Sequence, residues 1–199
     1  SSTITSNIVG GNGGGAYVSN GNFTMSNGYI THNSTSTGHG AGVYMNGGNI
    51  TFENGNISSN LALAGNGGGI CLQNGSMEIS AGTLESNTCK LYGGGVYVEN
   101  GTFTMSNGNI NENTTTEGHG GGIYIVGGGG FTMNNGNITN NKTIQGNGGG
   151  AYLDGGNFTF KTGQILANTA PSVTGNGGGI CLMNGEVVIE GGTIQNNEC

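Results

Sequence analysis

The chain has 199 residues, of which 47 are glycine and one is proline, and ten acidic against three basic residues give it a net charge of −7. This negative charge argues against nucleic-acid binding, which requires a basic surface. The sequence holds no apolar run of the length needed to cross a membrane, and glycine does not recur at every third position as it does in collagen.

A Gly-rich phrase followed by an apolar triplet recurs along the whole chain. Successive triplets begin ~27 residues apart, and a nearly constant period of this size indicates a repeat architecture. The regular spacing separates the chain from disordered glycine-rich sequences, which need no register. The triplets begin at Ala16, Val43, Ile70, Val96, Ile123, Ala151 and Ile180.

The first full unit contains three short segments with strand character: Ala16–Val18, Phe23–Met25 and Tyr29–Thr31. Turn signals rich in Asn and Gly separate the segments, and a polar loop over 34–39 closes the unit. Apolar and polar residues alternate in each segment, which predicts strands with one buried face. No segment has the helical periodicity of an amphipathic helix.

Equivalent positions in successive units form columns that stay apolar at every level, so stacked units would bury a continuous core. The sequence therefore predicts an all-β, right-handed parallel β-helix, or β-solenoid, of about seven rungs of ~27 residues with three short strands each. At ~4.8 Å per rung the rod would be about 34 Å long. We expect residues 1–199 to form a single domain that is a segment of a longer repeat array.

An asparagine lies at the same short distance after the apolar residue of each third strand. Stacked amides at a buried corner can bond to one another along a ladder, although asparagine is also a common turn former. The predicted asparagine ladder comprises Asn7, Asn33, Asn60, Asn87, Asn113, Asn141, Asn168 and Asn197.

Together these phrases resemble the repeats of polymorphic outer-membrane proteins and related bacterial β-helix adhesins. The matching stretches include Gly94–Val96 and Ile110–Asn113, but this chain has Ile or Leu where that family favours Phe. The resemblance covers nearly the whole chain. It implies a passenger or stalk region of a secreted or surface protein, and it transfers no catalytic residues.

The four cysteines form two pairs with the same separation along the chain, Cys71 with Cys89 and Cys181 with Cys199. This spacing is too wide for the close pairs typical of metal sites. We expect each pair to form a loop-to-strand disulfide within one rung, which suits an oxidising, extracellular setting. Four free thiols are the alternative.

Five tyrosines share the outward column of the first strand with Cys71 and Cys181, and they could stack sugars if they were open to a ligand. This possible ligand-facing aromatic column comprises Tyr17, Tyr44, Tyr97, Tyr124 and Tyr152. A neighbouring outward column rich in threonine suggests ice binding as a further alternative. Threonine is also a common exposed strand residue, so this column alone does not favour ice binding.

Polysaccharide-degrading β-helix enzymes use clustered carboxylates, whereas the ten acids here are scattered. We therefore expect a non-catalytic, extracellular or cell-surface rod, a segment of an adhesin stalk or fibre, with no catalytic, metal or cofactor site. Its partners would be further repeats of the same chain or identical subunits end to end. A glycan-binding β-helix and a head-to-tail filament subunit are the main alternatives, and glycans are a possible further partner.

Overall fold

The computed structural model describes residues 1–171, 173 and 175–199. Within these ranges it contains strands, turns and bends but no helix. Every strand pairs in parallel with its counterpart one turn further along the chain, which makes the molecule the expected parallel β-solenoid. We call one turn of the coil a rung and number the rungs one to seven by the apolar triplets from Ala16 to Ile180.

The first sheet, sheet 1, carries both of the first two predicted strand segments of each rung. Five of its strands are long, because the chain runs through the glycines between the two segments without leaving the sheet. Its nine strands are Ala16–Val18, Asn22–Met25, Val43–Phe52, Ile70–Ile79, Val96–Val98, Thr102–Met105, Ile123–Met133, Ala151–Phe160 and Ile180–Ile189.

Glycines at the middle of these long strands let the chain bend within the sheet. Gly47 and Gly48 have φ of 139° and 85°, which a side chain with a Cβ rarely adopts. The pairing between rungs two and three shifts register at this level and then resumes. In this rung the turn signal therefore produces a bulge within a strand rather than a corner of the coil.

The second sheet, sheet 2, contains the predicted third strands. Its eight members keep strict register, with Ile4 opposite Ile30 and Ile30 opposite Ile57. They are Ser2–Thr5, Gly28–Thr31, Asn56–Ser58, Thr83–Glu85, Asn109–Asn111, Asn137–Thr139, Gln164–Leu166 and Thr193–Gln195.

The third sheet, sheet 3, occupies the segment expected to be only a polar loop. Its strands have two residues each and directly follow the ladder asparagines, and single bridges extend the pairing from Lys142 to Thr169 and Glu198. The strands are Ile8–Val9, Ser34–Thr35, Leu61–Ala62, Thr88–Cys89, Thr114–Thr115 and Lys142–Thr143. So short a strand carries no alternation of apolar and polar residues, and the sequence pattern could not reveal it.

The core runs along the axis between sheets 1 and 2. In the middle rungs the inward side chains are completely or almost completely buried, including Phe131, Phe158 and Phe160, and neighbouring phenylalanine rings stack at 4.7–4.8 Å. In rung seven Leu182, Ile189 and Ile194 are 40–57% exposed. There the same columns line an open apolar pit of about 490 Å³.

Candidate functional site

The asparagine ladder joins neighbouring rungs from Asn7 to Asn197 at the corner between sheets 2 and 3. Each amide Nδ2 donates to the Oδ1 of the next asparagine at 2.8–3.0 Å. The backbone N–H of each donor residue bonds to the same Oδ1 at 2.9–3.1 Å. The six asparagines from Asn33 to Asn168 are at most 1% exposed.

Asn87 shows that the full bonding capacity of a ladder amide is used. Its Oδ1 accepts two hydrogen bonds from Asn60, and its Nδ2 donates to Asn113 Oδ1 and to the carbonyl of Ile57. An amide has two donor hydrogens and two acceptor lone pairs, so no capacity is left over. A buried amide with this environment stabilises the corner without the penalty of an unpaired polar group.

The Gly-rich phrase and the ladder are packed against each other. Gly67, the first glycine of its phrase, has φ of 64°, and a Cβ on Gly69, the third, would lie 3.0 Å from the Asn87 amide nitrogen. The first glycine thus allows a left-handed backbone, and the third allows close approach to the ladder. This contact explains why the two sequence signatures occur at a nearly constant offset.

The predicted tyrosine column exists, and most of its ring surface is covered by neighbouring side chains. Neighbouring rings stack on one another, with centroids 5.1 Å apart for Tyr17 and Tyr44 and 5.3 Å apart for Tyr124 and Tyr152. Tyr44, Tyr124 and Tyr152 are only 5–6% exposed, whereas Tyr17 is 54% exposed. A sugar-stacking platform needs exposed ring faces, so the burial of these three tyrosines argues against sugar binding along the whole column.

The covering layer is a second column of side chains, which the sequence analysis did not identify. It lies in the loops between sheets 3 and 1, at a constant offset before each apolar triplet, and we call it the loop column. This constant offset is the signal that could have revealed it. Its members are Asn12, His39, Asn66, Tyr92, His119, Asn147 and Asn176.

One kind of hydrogen bond, from a backbone N–H to a side-chain acceptor, recurs between members of the loop column. The backbone N–H of His39 donates to Asn12 Oδ1 at 2.8 Å, and the backbone N–H of Asn66 donates to His39 Nδ1 at 3.0 Å. The N–H of Asn147 bonds in the same way to His119 Nδ1 at 3.0 Å. Asparagine and histidine are therefore interchangeable here as acceptors.

Both histidines of the loop column are held in the neutral form. An Nδ1 atom that accepts a hydrogen bond carries no proton, and burial lowers the pKa of His39 and of His119. Glu99 and Asp154 partly offset this effect by raising the pKa of His39 and His119 respectively. The His119 ring also stacks on Tyr152, with centroids 4.5 Å apart.

The loop column is interrupted between rungs three and four. The step from Ile70 to Val96 is the shortest between any two successive triplets, and Tyr92 replaces an amide or imidazole at this level. Asn66 Oδ1 is buried and has no hydrogen-bond partner. At the same level Cys71 replaces a tyrosine in the column below, and a cavity of about 50 Å³ lies there.

The four cysteines are free in the structure, so neither expected disulfide is formed in it. Both Cys71 and Cys89 are buried: Cys71 lies on the outward face of sheet 1 beneath the loop column, and Cys89 packs beside Ala41 and Ala62. Burial raises the pKa of the Cys89 thiol to about 12, partly offset by its hydrogen bond with Thr115. Because the thiolate is the reactive species, such a thiol oxidises slowly, and the Cys71–Cys89 and Cys181–Cys199 bridges remain predictions.

The described residues contain no group of three or more His, Cys, Asp or Glu side chains placed to hold a metal ion. A search of the same residues for a long apolar helix able to span a membrane found none.

Comparison with known proteins gives one match. A family model described as "right handed beta helix region" matches residues 1–137 and 41–199, and its description agrees with the expected hand of the coil. No curated protein and no solved structure matches the chain.

Proposed function

The chain belongs to the right-handed β-helix family, and from this premise we propose that it is a non-catalytic structural rod, a segment of an extracellular adhesin stalk or fibre. The observation that carries the proposal is the asparagine ladder, which bonds each rung to the next from Asn7 to Asn197. Together with the continuous core it couples all rungs into one rod. Such a rod suits a spacer, which holds other parts of a protein at a fixed distance from one another.

A spacer tolerates a change of length that preserves its register, and this property distinguishes it from a binding or catalytic domain. The segment 43–122 comprises three complete rungs. A duplicate of this segment, inserted between positions 122 and 123 of the full-length protein, should lengthen the rod by about 14 Å. X-ray scattering of the purified protein should show the increase, and cells that display it should still adhere.

The matched control inserts a duplicate of 43–55 at the same point, which adds half a rung and breaks the register. We expect this variant to misfold and to lose adhesion. Loss of adhesion in a well-folded three-rung insertion would contradict the spacer role.

The extracellular location is tested separately. A membrane-impermeant amine reagent applied to intact cells should label Lys90 or Lys142, and non-reducing peptide mapping of the secreted protein should recover the Cys71–Cys89 and Cys181–Cys199 peptides as linked pairs. Labelling only after lysis would refute a surface location.

A further inference from the structure

The cavity at the interruption of the loop column lies inside the tyrosine column. Cys71 pairs in register with Tyr44 on one side and with Tyr97 on the other. All three side chains line the cavity of about 50 Å³, together with His39, Asn66, Gln73 and Glu99. The cavity therefore occupies the level at which a tyrosine ring is replaced by a much smaller thiol.

The two tyrosines bound this cavity as a flat slot. Tyr44 stacks on Tyr17 at an interplanar angle of 16°, and Tyr97 stacks on Tyr124 at 5°. One face of each ring is thus used by its neighbour, and the other face is directed towards the level of Cys71. Strands two rungs apart are separated by about 9.6 Å, so the space between these rings accommodates a single planar group.

The residues around the slot include two acceptors that could receive a donor from outside, the Asn66 amide oxygen and the Glu99 carboxylate. Asn66 Oδ1 is buried and has no partner. Gln73 Oε1 faces Tyr44 and accepts a hydrogen bond from its hydroxyl. Glu99 lines the cavity together with Cys71 and Tyr97, and its charge is the second cause, after burial, of the raised pKa of both groups.

No cation of the described chain neutralises this carboxylate. Within the described residues the one ion pair joins Lys90 to Glu117, and the sequence contains no arginine. Gln73, Tyr97 and Glu99 are partly exposed, so the cavity reaches the surface on their side. A partner from outside can therefore approach the carboxylate.

We propose that this slot binds a guanidinium group carried by another molecule. A guanidinium is planar, stacks on aromatic faces and presents five N–H donors, which match two tyrosine rings, the unpaired Asn66 oxygen and the Glu99 carboxylate. Its small size suits a cavity of about 50 Å³, whereas an indole or a nucleobase is too large. The site does not depend on the proposed role as a rod, and Glu99→Gln tests it without altering the predicted Cys71–Cys89 bridge.

The direct test is a titration of the intact chain with Nα-acetyl-arginine amide, in which the NMR chemical shifts of Tyr44 and Tyr97 report binding. Nα-acetyl-citrulline amide is the matched probe, because it keeps the planar shape and loses the charge. We expect the arginine compound to bind at least about tenfold more tightly, since a charged group gains both the cation–π and the carboxylate interaction. Equal affinity for the two compounds would overturn the proposal.

Variants of the slot test the same site from the protein side. Cys71→Tyr supplies the missing ring and should abolish binding, and Glu99→Gln should weaken binding of the arginine compound about tenfold while leaving the slot in place. Cys181→Tyr makes the same exchange at the equivalent position of rung seven and should bind like the parent. Unchanged affinity in both slot variants, with the parent circular dichroism spectrum, would refute the assignment.

The source of the guanidinium is distinguished by a third arm of the titration. A short extended peptide with one central arginine should bind more tightly than the amide if the natural ligand is an arginine side chain of a protein. If the natural ligand is a small guanidino compound, the peptide should bind more weakly than the amide because its flanking residues collide with the loop column. Absence of binding by both the peptide and the amide would overturn the proposal.

Discussion

The two columns of polar side chains in this molecule differ in how strictly they specify their residues. The inner ladder has asparagine in every rung, and each buried amide makes up to four hydrogen bonds, as Asn87 does. The loop column is partly exposed and has asparagine, histidine or tyrosine, and its members need to supply only one acceptor. The number of bonds demanded at a buried position therefore decides how much the residue there can vary.

This difference in hydrogen bonding also explains why the loop column, and not the inner ladder, is interrupted. A break in the inner ladder would leave several buried groups unpaired at once, a cost of several kcal/mol. The break between Asn66 and Tyr92 in the loop column leaves one buried oxygen unpaired. A repeat protein can accommodate a specific site in its outer layer at this small cost, and the cavity beside Cys71 lies there.

Removal of one amide from the inner ladder should give the largest decrease in the free energy of unfolding. In Asn113→Ala the backbone N–H and Nδ2 of Asn87 lose their acceptor, and the carbonyl of Leu84 loses a donor. With each orphaned buried group costing roughly 1–3 kcal/mol, the free energy of unfolding should fall by about 5 kcal/mol. Urea denaturation followed by circular dichroism measures it.

The matched variant in the loop column is Asn147→Ala, which removes exposed hydrogen bonds to Asn176. We expect a loss below about 1 kcal/mol, within the range of ordinary surface substitutions. Comparable losses in the two variants would remove the distinction between the columns.

The stability of the protein should be almost as sensitive to substitutions in the apolar interior as to substitutions in the ladder. Phe160 is completely buried, and its ring lies 6.2 Å from that of Phe158. Phe160→Ala should lower the free energy of unfolding by about 3–5 kcal/mol, because the rigid neighbouring rungs cannot collapse into the cavity. Phe160→Met, which nearly conserves volume, should cost under about 1.5 kcal/mol, and a loss under ~1 kcal/mol for the alanine variant would contradict inward packing.

Acid should weaken the loop column selectively. Burial lowers the pKa of His39 and His119 below the ordinary 6.5, so the unfolded chain takes up protons at a pH at which the folded chain does not. Their contribution is fully present above pH 6.5 and is lost as the pH falls from there through the lowered folded-state pKa. The urea midpoint should therefore decrease between pH 7.5 and pH 5.

The control for this pH effect is the double variant His39→Asn with His119→Asn, since asparagine supplies the acceptor at other levels of the loop column. Glu99 and Asp154 face the two histidines and remain in both proteins. The decrease of the midpoint should be smaller in the variant, and an identical decrease would assign the effect to carboxylates elsewhere.

Much of this architecture can be predicted from the sequence, because residues at equivalent positions of successive rungs recur with a regular period. The apolar columns and the ladder positions recur at constant offsets, and the structure places them in register. The two-residue strands such as Thr88–Cys89 could not be predicted, because pairing between rungs holds them and no local pattern does. The burial of Tyr124 and Tyr152 depends on the loop column, whose constant offset from the apolar triplets is a sequence signal for the layer that covers them.

The corner before the ladder gives the smallest and most selective prediction, because its backbone conformation is constant while its side chain varies. The residue preceding each ladder asparagine has a positive φ of 54–60° in all eight cases, with Ser, His, Glu, Asn or Ala at this position. Outside glycine and asparagine this conformation costs about 1–2 kcal/mol. The range of side chains tolerated there indicates that the backbone alone is constrained.

Ala167 has φ of 54° and is the best position for relief of this strain. Ala167→Gly should raise the free energy of unfolding by up to about 1 kcal/mol, since the greater entropy of glycine in the unfolded chain offsets part of the gain. Ala167→Val should lower it, because a β-branched residue is least compatible with this backbone. Asn140→Gly should change little, since asparagine already tolerates the conformation. Thermal denaturation of the three variants measures the order of their stabilities. Equal stability of the glycine and valine variants at position 167 would show that the corner is held by its side chain rather than by its backbone.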